Sequence, residues 1–272
     1  MKKTFLLSCL MLAAMPVMAA YTGRVYVDKN KNGVFDPGEK TWAGIKVSDG
    51  LNVVETAADG SFTLPSHERE RFIFITTPSG YKTFNRHYHK IEEKQSGYDF
   101  GLMPYSGRIR KDGSHKYIHI ADTEIFNTEN HEDWVNNVRD YARNEQAAFI
   151  IHTGDICYEK GLKAHIKLMN TENMDCPVFY CIGNHDLVKG KYGEELFESI
   201  YGPVYYSFDA GNVHYIVTPM PGGDHAPGYT ADDVCRWLKN DLAHIRPGTP
   251  VVVFNHDLLT YEDAFIFKSK NA

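Results

Sequence analysis

The sequence predicts a multidomain protein in two classes: an all-β sandwich module over residues 21–103, then an α/β layered domain over 115–272. Three observations lead there. Short β-forming runs crowd the first part, separated by turn signals. From His115 onward, apolar strands alternate with segments of helical spacing. Between them, residues 104–114 are polar and rich in chain breakers, which places a linker there. A chain of 272 residues has room for about two domains of ordinary size.

Residues 1–20 read as a secretory signal peptide. Lys2 and Lys3 precede an apolar run from Phe5 to Met15, Pro16 breaks it, and Ala19 and Ala20 supply small residues for cleavage. The run is shorter than the roughly 20 residues that span a bilayer, and no other transmembrane segment is evident. The mature chain is therefore expected to be exported, to a periplasm or beyond the cell. Hydrophobic residues at 43% and charged residues at 24% fit a soluble globular protein. A net charge of -6 offers no basic field for nucleic acid.

In the first domain, strands are expected at 21–27, 44–48, 52–56, 61–64 and 71–76. Asp49-Gly50 and Asp59-Gly60 mark tight turns. Between the first two strands lies a twelve-residue stretch with calcium-loop spacing. Asp28, Asn30, Asn32, Asp36 and Glu39 bring side-chain oxygens, Val34 brings a carbonyl, and Gly33 permits the sharp turn. The flanks are β-like, so this is a candidate calcium loop without the helices of an EF-hand.

In the second domain, strands are expected at 116–120, 147–152, 177–182, 204–208, 212–218 and 250–254. Helices are expected at 131–145, where Trp134, Val138 and Ala142 recur at helical spacing, and at 161–173. Thr230 and Asp233 form a capping box for a further helix carrying Val234, Trp237 and Leu238. Cys176 and Cys181 sit an odd number of steps apart on one strand, so they face opposite sides and do not pair. With Cys157 and Cys235 they read as buried small hydrophobes.

Four motifs end successive strands: Ile118-His119-Ile120-Ala121-Asp122-Thr123-Glu124, Ile150-Ile151-His152-Thr153-Gly154-Asp155, Cys181-Ile182-Gly183-Asn184-His185-Asp186, and Val253-Phe254-Asn255-His256-Asp257. Ligand sites of open α/β sheets lie beyond the carboxyl ends of strands. Asp, Asn and His together suit manganese, iron or zinc ions. Two such ions about 4 Å apart can share a carboxylate, generate hydroxide and clamp a phosphoryl group. His119, His152 and His214 lie within strands and read as packed, hydrogen-bonded residues.

These four motifs in this order resemble the calcineurin-like metallophosphoesterase signature, whose most specific part, Gly183-Asn184-His185-Asp186, is intact. The resemblance covers about residues 115–272. The β-module is similar to the N-terminal module of some exported bacterial members, and its loop to those of prealbumin-like or Cna-B-like β-sandwiches. The resemblance implies a hydrolase of phosphate mono- or diesters that uses two divalent metal ions and acts on a small phosphate ester. It implies that Asp155 bridges the metals, Asp122 binds the first, and Asn184 and His256 bind the second. His185 would stand beside the leaving group as proton donor, oriented by Asp186.

Two departures stand out. Glu124 occupies a position where the family has His, and is expected to serve as a metal ligand in its place. The closing Gly-His-x-His motif does not occur after His256, so the phosphoesterase domain is expected to be truncated at its C-terminal end. That motivates an alternative reading, a catalytically inactive remnant serving as a surface or binding protein. Asp224 and His225, in the Gly-rich stretch 221–225, are candidate substrate contacts.

Overall fold

The structure, a computed structural model, describes residues 20–84, 86–95, 97–105 and 108–257. The expected signal peptide, except Ala20, and the last residues of the second domain, 258–272, lie outside the described residues.

The first module contains β1 (Ala20–Val27), β2 (Lys46–Ser48), β3 (Val53–Glu55), β4 (Ser61–Pro65), β5 (Phe72–Ile75), β6 (Tyr81–Thr83), β7 (Tyr88–Lys90) and β8 (Phe100–Pro104). They form two four-stranded sheets, ordered β4-β1-β8-β6 and β3-β2-β5-β7. Both sheets contribute to one buried core: Val25, Phe62, Leu64 and Leu102 from the first, Val47, Ile73 and Ile75 from the second. The alternation in β4, with Phe62 and Leu64 buried and Thr63 exposed, marks one face turned inward and one toward water. β6, β7 and β8 are strands that the turn signals did not mark.

The second part runs β9 (Lys116–Ile120), α1 (Glu132–Asn144), β10 (Ala147–His152), α2 (Tyr158–Leu168), β11 (Val178–Tyr180), a single 3-10 turn at Asn184–Asp186, α3 (Glu195–Tyr201), β12 (Tyr206–Ala210), β13 (Val213–Val217), α4 (Ala231–Ala243) and β14 (Val251–Phe254). One sheet, of order β11-β10-β9, is parallel throughout; the other, of order β12-β13-β14, is mixed, with β12 antiparallel and β14 parallel to β13. β10 is buried along its whole length and alternates between two cores. Ile150 packs with Leu162, Phe197 and Tyr201 of the helices. Phe149 and Ile151 pack with Phe208, Tyr215 and Trp237, between the two sheets. Phe179 and Phe208 stack there with ring centroids 3.7 Å apart. A strand buried on both faces explains the continuous apolar run Ala147–Ile151.

Helix α2 starts and stops earlier than the expected 161–173. Beyond Leu168, Met169 turns to an extended conformation. The side chain of Asn170 accepts the N–H groups of Glu172 and Asn173, offering the backbone an alternative to helix. Asn173 then donates to the Lys167 and Leu168 carbonyls, closing the end. Helix α4 begins on the Thr230–Asp233 capping box. Among the described residues the four cysteines are free, and three of them, Cys157, Cys176 and Cys181, are buried.

The two parts are joined by buried polar contacts. Asp209 N–H donates to the Thr77 carbonyl. Arg71 reaches Glu194 at 3.0 Å and Glu198 at 3.1 Å, and both carboxylates are almost wholly buried. Removing one partner of such a buried pair costs about 3–5 kcal/mol. His214 is buried between Asp209 and Asp241, and Ser207 links Asp241 to Thr76 of the first module.

Candidate metal centre and active site

The carboxyl ends of β9, β10 and β11 are stitched together before any side chain is considered. Thr153 N–H donates to the Ile120 carbonyl, Asp122 N–H to the Gly154 carbonyl, and Cys181 N–H to the His152 carbonyl. His152, fully buried, accepts the Gly154 N–H at Nδ1. Its Nε2 therefore carries the proton and donates to Thr123 Oγ1 at 3.0 Å. Burial pushes its pKa well below the ordinary value, which keeps the ring neutral. One imidazole thus ties the first motif to the second. His119 bonds the Thr153 hydroxyl in the same seam.

The backbone here is costly. Asp122, Glu124 and Asp155 have φ of 54°, 44° and 51°, a region that L-residues seldom adopt. Gly154, at φ 100°, is needed for its turn. Gly183 is needed for space: a Cβ there would lie 2.2 Å from both N and Oδ1 of Asp155.

Asp122, Asp155 and His256 each offer a ligand atom, and these atoms lie within 4.8 Å of one another. His256 Nδ1 donates to the Thr153 carbonyl at 2.8 Å, so its Nε2 lone pair is left free, 3.4 Å from Asp155 Oδ2. Asp155 Oδ1 accepts the backbone N–H of His185 at 3.1 Å. Among the described residues no Lys or Arg pairs with Asp122 or Asp155. Two carboxylates and an imidazole nitrogen, with no Lys or Arg beside them among the described residues, form a donor set that fits a divalent ion. Glu124 is exposed and stands outside this triplet. Asn184 sits in the 3-10 turn, its carbonyl accepting the Asp224 N–H at 3.1 Å.

The expected pairing of His185 with Asp186 is corrected by the geometry. Asp186 is buried, and its two oxygens accept the N–H groups of Cys157 and Gly183 at 2.8 and 2.9 Å. It folds the turn and does not reach the His185 ring. Burial raises its pKa to about 6, with those two N–H groups pulling the other way. The carboxylate on the His185 ring is that of Asp224, which accepts from Nδ1 at 2.8 Å. That bond is the largest cause of a raised His185 pKa. His225 is exposed in the same loop. Sequence reasoning missed the dyad because its members come from loops that neither spacing nor periodicity connects.

The calcium-like loop is drawn together by its own side chains. Buried Asp28 accepts the N–H groups of Lys31, Asn32 and Gly33. The amides of Asn30 and Asn32 donate to Asp36, and Glu39 accepts the Lys29 and Asp36 N–H groups. Val34, at the carbonyl position, donates its own N–H to Asn32 Oδ1. Another cluster, Asp49, His67 and Glu70, also brings ligand atoms within 4.8 Å. Its Asp49 oxygens are committed to the N–H groups of Leu51 and Asn52 and to the Asn52 amide.

Residues 115–267 match the family described as calcineurin-like phosphoesterase, and residues 29–105 match the N-terminal module of calcineurin-like phosphoesterases. The chain belongs to the calcineurin-like phosphoesterase family. A search of the curated proteins finds no match. Membership makes this phosphoesterase, at the family level, a metal-dependent hydrolase of phosphate esters with a small phosphate-ester substrate. Among the described residues, no helix is long and apolar enough to cross a membrane.

Proposed function

We propose that this phosphoesterase hydrolyses small phosphate mono- or diesters at a two-metal site built around Asp155. The observation that carries the reading is the convergence of Asp122, Asp155 and His256, with His256 Nε2 left free by the Thr153 carbonyl. In this reading Asp122 and Asp155 hold one divalent ion, and Asp155, Asn184 and His256 a second, of manganese, iron or zinc type. Bound there, such ions supply Lewis acidity and a nucleophilic water. Glu124 closes the first ion's surroundings as an outer carboxylate. His185, whose pKa the hydrogen bond to Asp224 raises, gives its proton to the departing oxygen. Asp186 holds the turn that aims His185. His225 stands at the rim, where substrate enters.

We further propose that the protein acts after export, and that its N-terminal module is of the prealbumin or Cna-B type and holds calcium at Asp28, Asn30, Asn32, Asp36, Glu39 and the Val34 carbonyl. The converging side chains of that loop support the calcium reading.

The deciding experiment is manganese-dependent hydrolysis of bis(p-nitrophenyl) phosphate and p-nitrophenyl phosphate, beside Asp155→Asn. Turnover lost in the variant, with folding retained, supports the reading. No turnover by folded, metal-loaded wild type overturns it.

A further inference from the structure

Two large aromatic side chains stand in water at the edge of the site. Phe126 is 55% exposed and Tyr158 is 45% exposed. Their rings are nearly parallel, 15° apart in plane with centroids 6.5 Å apart. The Tyr158 ring lies 5.5 Å from that of His185, whose backbone N–H is bonded to Asp155. Tyr158 thus lies against both His185 and Phe126, and the turn that carries His185 is bonded to Asp155 of the metal triplet.

The Phe126 and Tyr158 rings are held from beneath. Ile125, next to Phe126, is buried. Gly161 of α2 lets the helix approach so closely that a Cβ there would lie 2.5 Å from the Ile125 carbonyl. The loop carrying Phe126 and the helix carrying Tyr158 are thus seated on each other. Cys157 and Tyr158 have φ of 73° and 57°, a left-handed conformation that non-glycine residues seldom adopt. Asp186 holds the Cys157 N–H in that conformation. Strain is maintained here in a segment whose outcome is to point an aromatic ring into solvent beside the proton donor.

We propose that Phe126 and Tyr158 form a stacking shelf for the leaving group of the substrate, and that this leaving group is an alcohol that carries a flat aromatic ring, either an aryl alcohol or a nucleoside. The inference rests on the proposed function, because it takes His185 as the residue facing the departing oxygen. A group attached to that oxygen continues past His185 onto Tyr158 and Phe126. Flat rings gain from near-parallel aromatic faces. A glycerol or other alkyl leaving group gains little there. The shelf reads no hydrogen-bonding edge, so selection is for shape and π-surface.

The test compares wild type with Phe126→Ala, Tyr158→Leu and Tyr158→Phe on three esters: an aryl phosphate, a nucleoside 5′-phosphate and glycerol phosphate, each also as its methyl diester. For Phe126→Ala and Tyr158→Leu, kcat/KM is expected to fall about 10-fold on the aryl or nucleoside esters and to stay within about 2-fold on the glycerol esters. Tyr158→Phe, which keeps the ring, should behave as wild type. The aryl and nucleoside arms separate the two sources of the ring. Equal losses on all three esters, or none, overturn the shelf while leaving the hydrolase reading intact. Calorimetric binding of the non-hydrolysable benzylphosphonate and propylphosphonate to the manganese-loaded protein gives a readout that needs no turnover. There the shelf predicts about 10-fold tighter binding of benzylphosphonate, lost in Phe126→Ala. Equal affinity for the two ligands overturns it.

Discussion

Asp224 accepts a hydrogen bond from Nδ1 of His185 at 2.8 Å, while the neighbouring carboxylate of Asp186 is turned away onto two backbone amides. The two acids therefore separate by experiment. Asp224→Asn keeps shape but removes the charge that raises the imidazole's pKa and aims the ring. Loss of a proton donor itself costs about 10²–10⁴-fold, so loss of its partner is expected at or below the lower end, about 10- to 100-fold in kcat. The melting temperature should barely change, because Asp224 is exposed. Asp186→Ala strands the N–H groups of Cys157 and Gly183, at roughly 1–3 kcal/mol each. It should lower the unfolding midpoint measurably. Reversed outcomes would return the dyad to Asp186.

Gly183 tests how tightly the site is built. Its φ of -93° suits any residue, so Gly183→Ala carries no conformational penalty. The methyl would instead meet Asp155 N and Oδ1 at 2.2 Å. Asp155 must shift, and a displacement of about 1 Å at a reacting centre is worth about 10²-fold in rate. Gly183→Ala should therefore lose about 100-fold or more in kcat/KM and bind manganese more weakly by calorimetry, with its secondary structure unchanged by circular dichroism. Retained activity would remove Asp155 from the centre.

The chemistry-bearing strand ends were legible because each motif is local: an apolar run followed at once by a ligand residue. His256 and Asp155, far apart in sequence, were joined only by that shared grammar, and the fold brings them to 3.4 Å. The partner of His185 was not legible. Asp224 and Asp186 are both acids near an imidazole in some reading, and backbone amides decide which one turns away. β6 and β7 are three-residue strands whose pairing, not alternation, defines them. β8 carries Gly101 and Pro104, which mask its β character in sequence. Tyr158 opens α2 in a strained conformation that no propensity favours, which is why the helix was expected three residues later.

Glu39 decides the calcium question. It sits at the position that closes a twelve-residue loop and already accepts two backbone N–H groups. Calcium that binds only the folded state stabilises by mass action, about 2.7 kcal/mol at one hundred times Kd. Millimolar calcium should raise the wild-type melting temperature by several degrees and leave Glu39→Gln unmoved. Magnesium should do less, because it prefers a tighter octahedral shell. An identical melting curve with calcium and with chelator would leave the loop as a self-bonded turn.

His165 sets the acid limit of stability. It is buried in α2 with its Nε2 unpartnered, and burial lowers its pKa from 6.5 to about 3. The folded state thus resists a proton that the unfolded chain accepts. Its contribution is present above pH 6.5 and is lost as pH falls from there toward 3, with a slope of up to about 1.4 kcal/mol per pH unit. His152, in contact with the same ring, is shifted the same way and adds to the slope. His165→Phe removes the titrating group and the orphaned nitrogen together while keeping a flat ring in place. Urea unfolding at pH 7, 6, 5 and 4 should show the variant at least as stable as wild type at pH 7 and losing less on acidification. Equal slopes would mean that His165 takes up its proton in the folded state, and that the pair it forms with His152 is not the neutral contact its burial dictates.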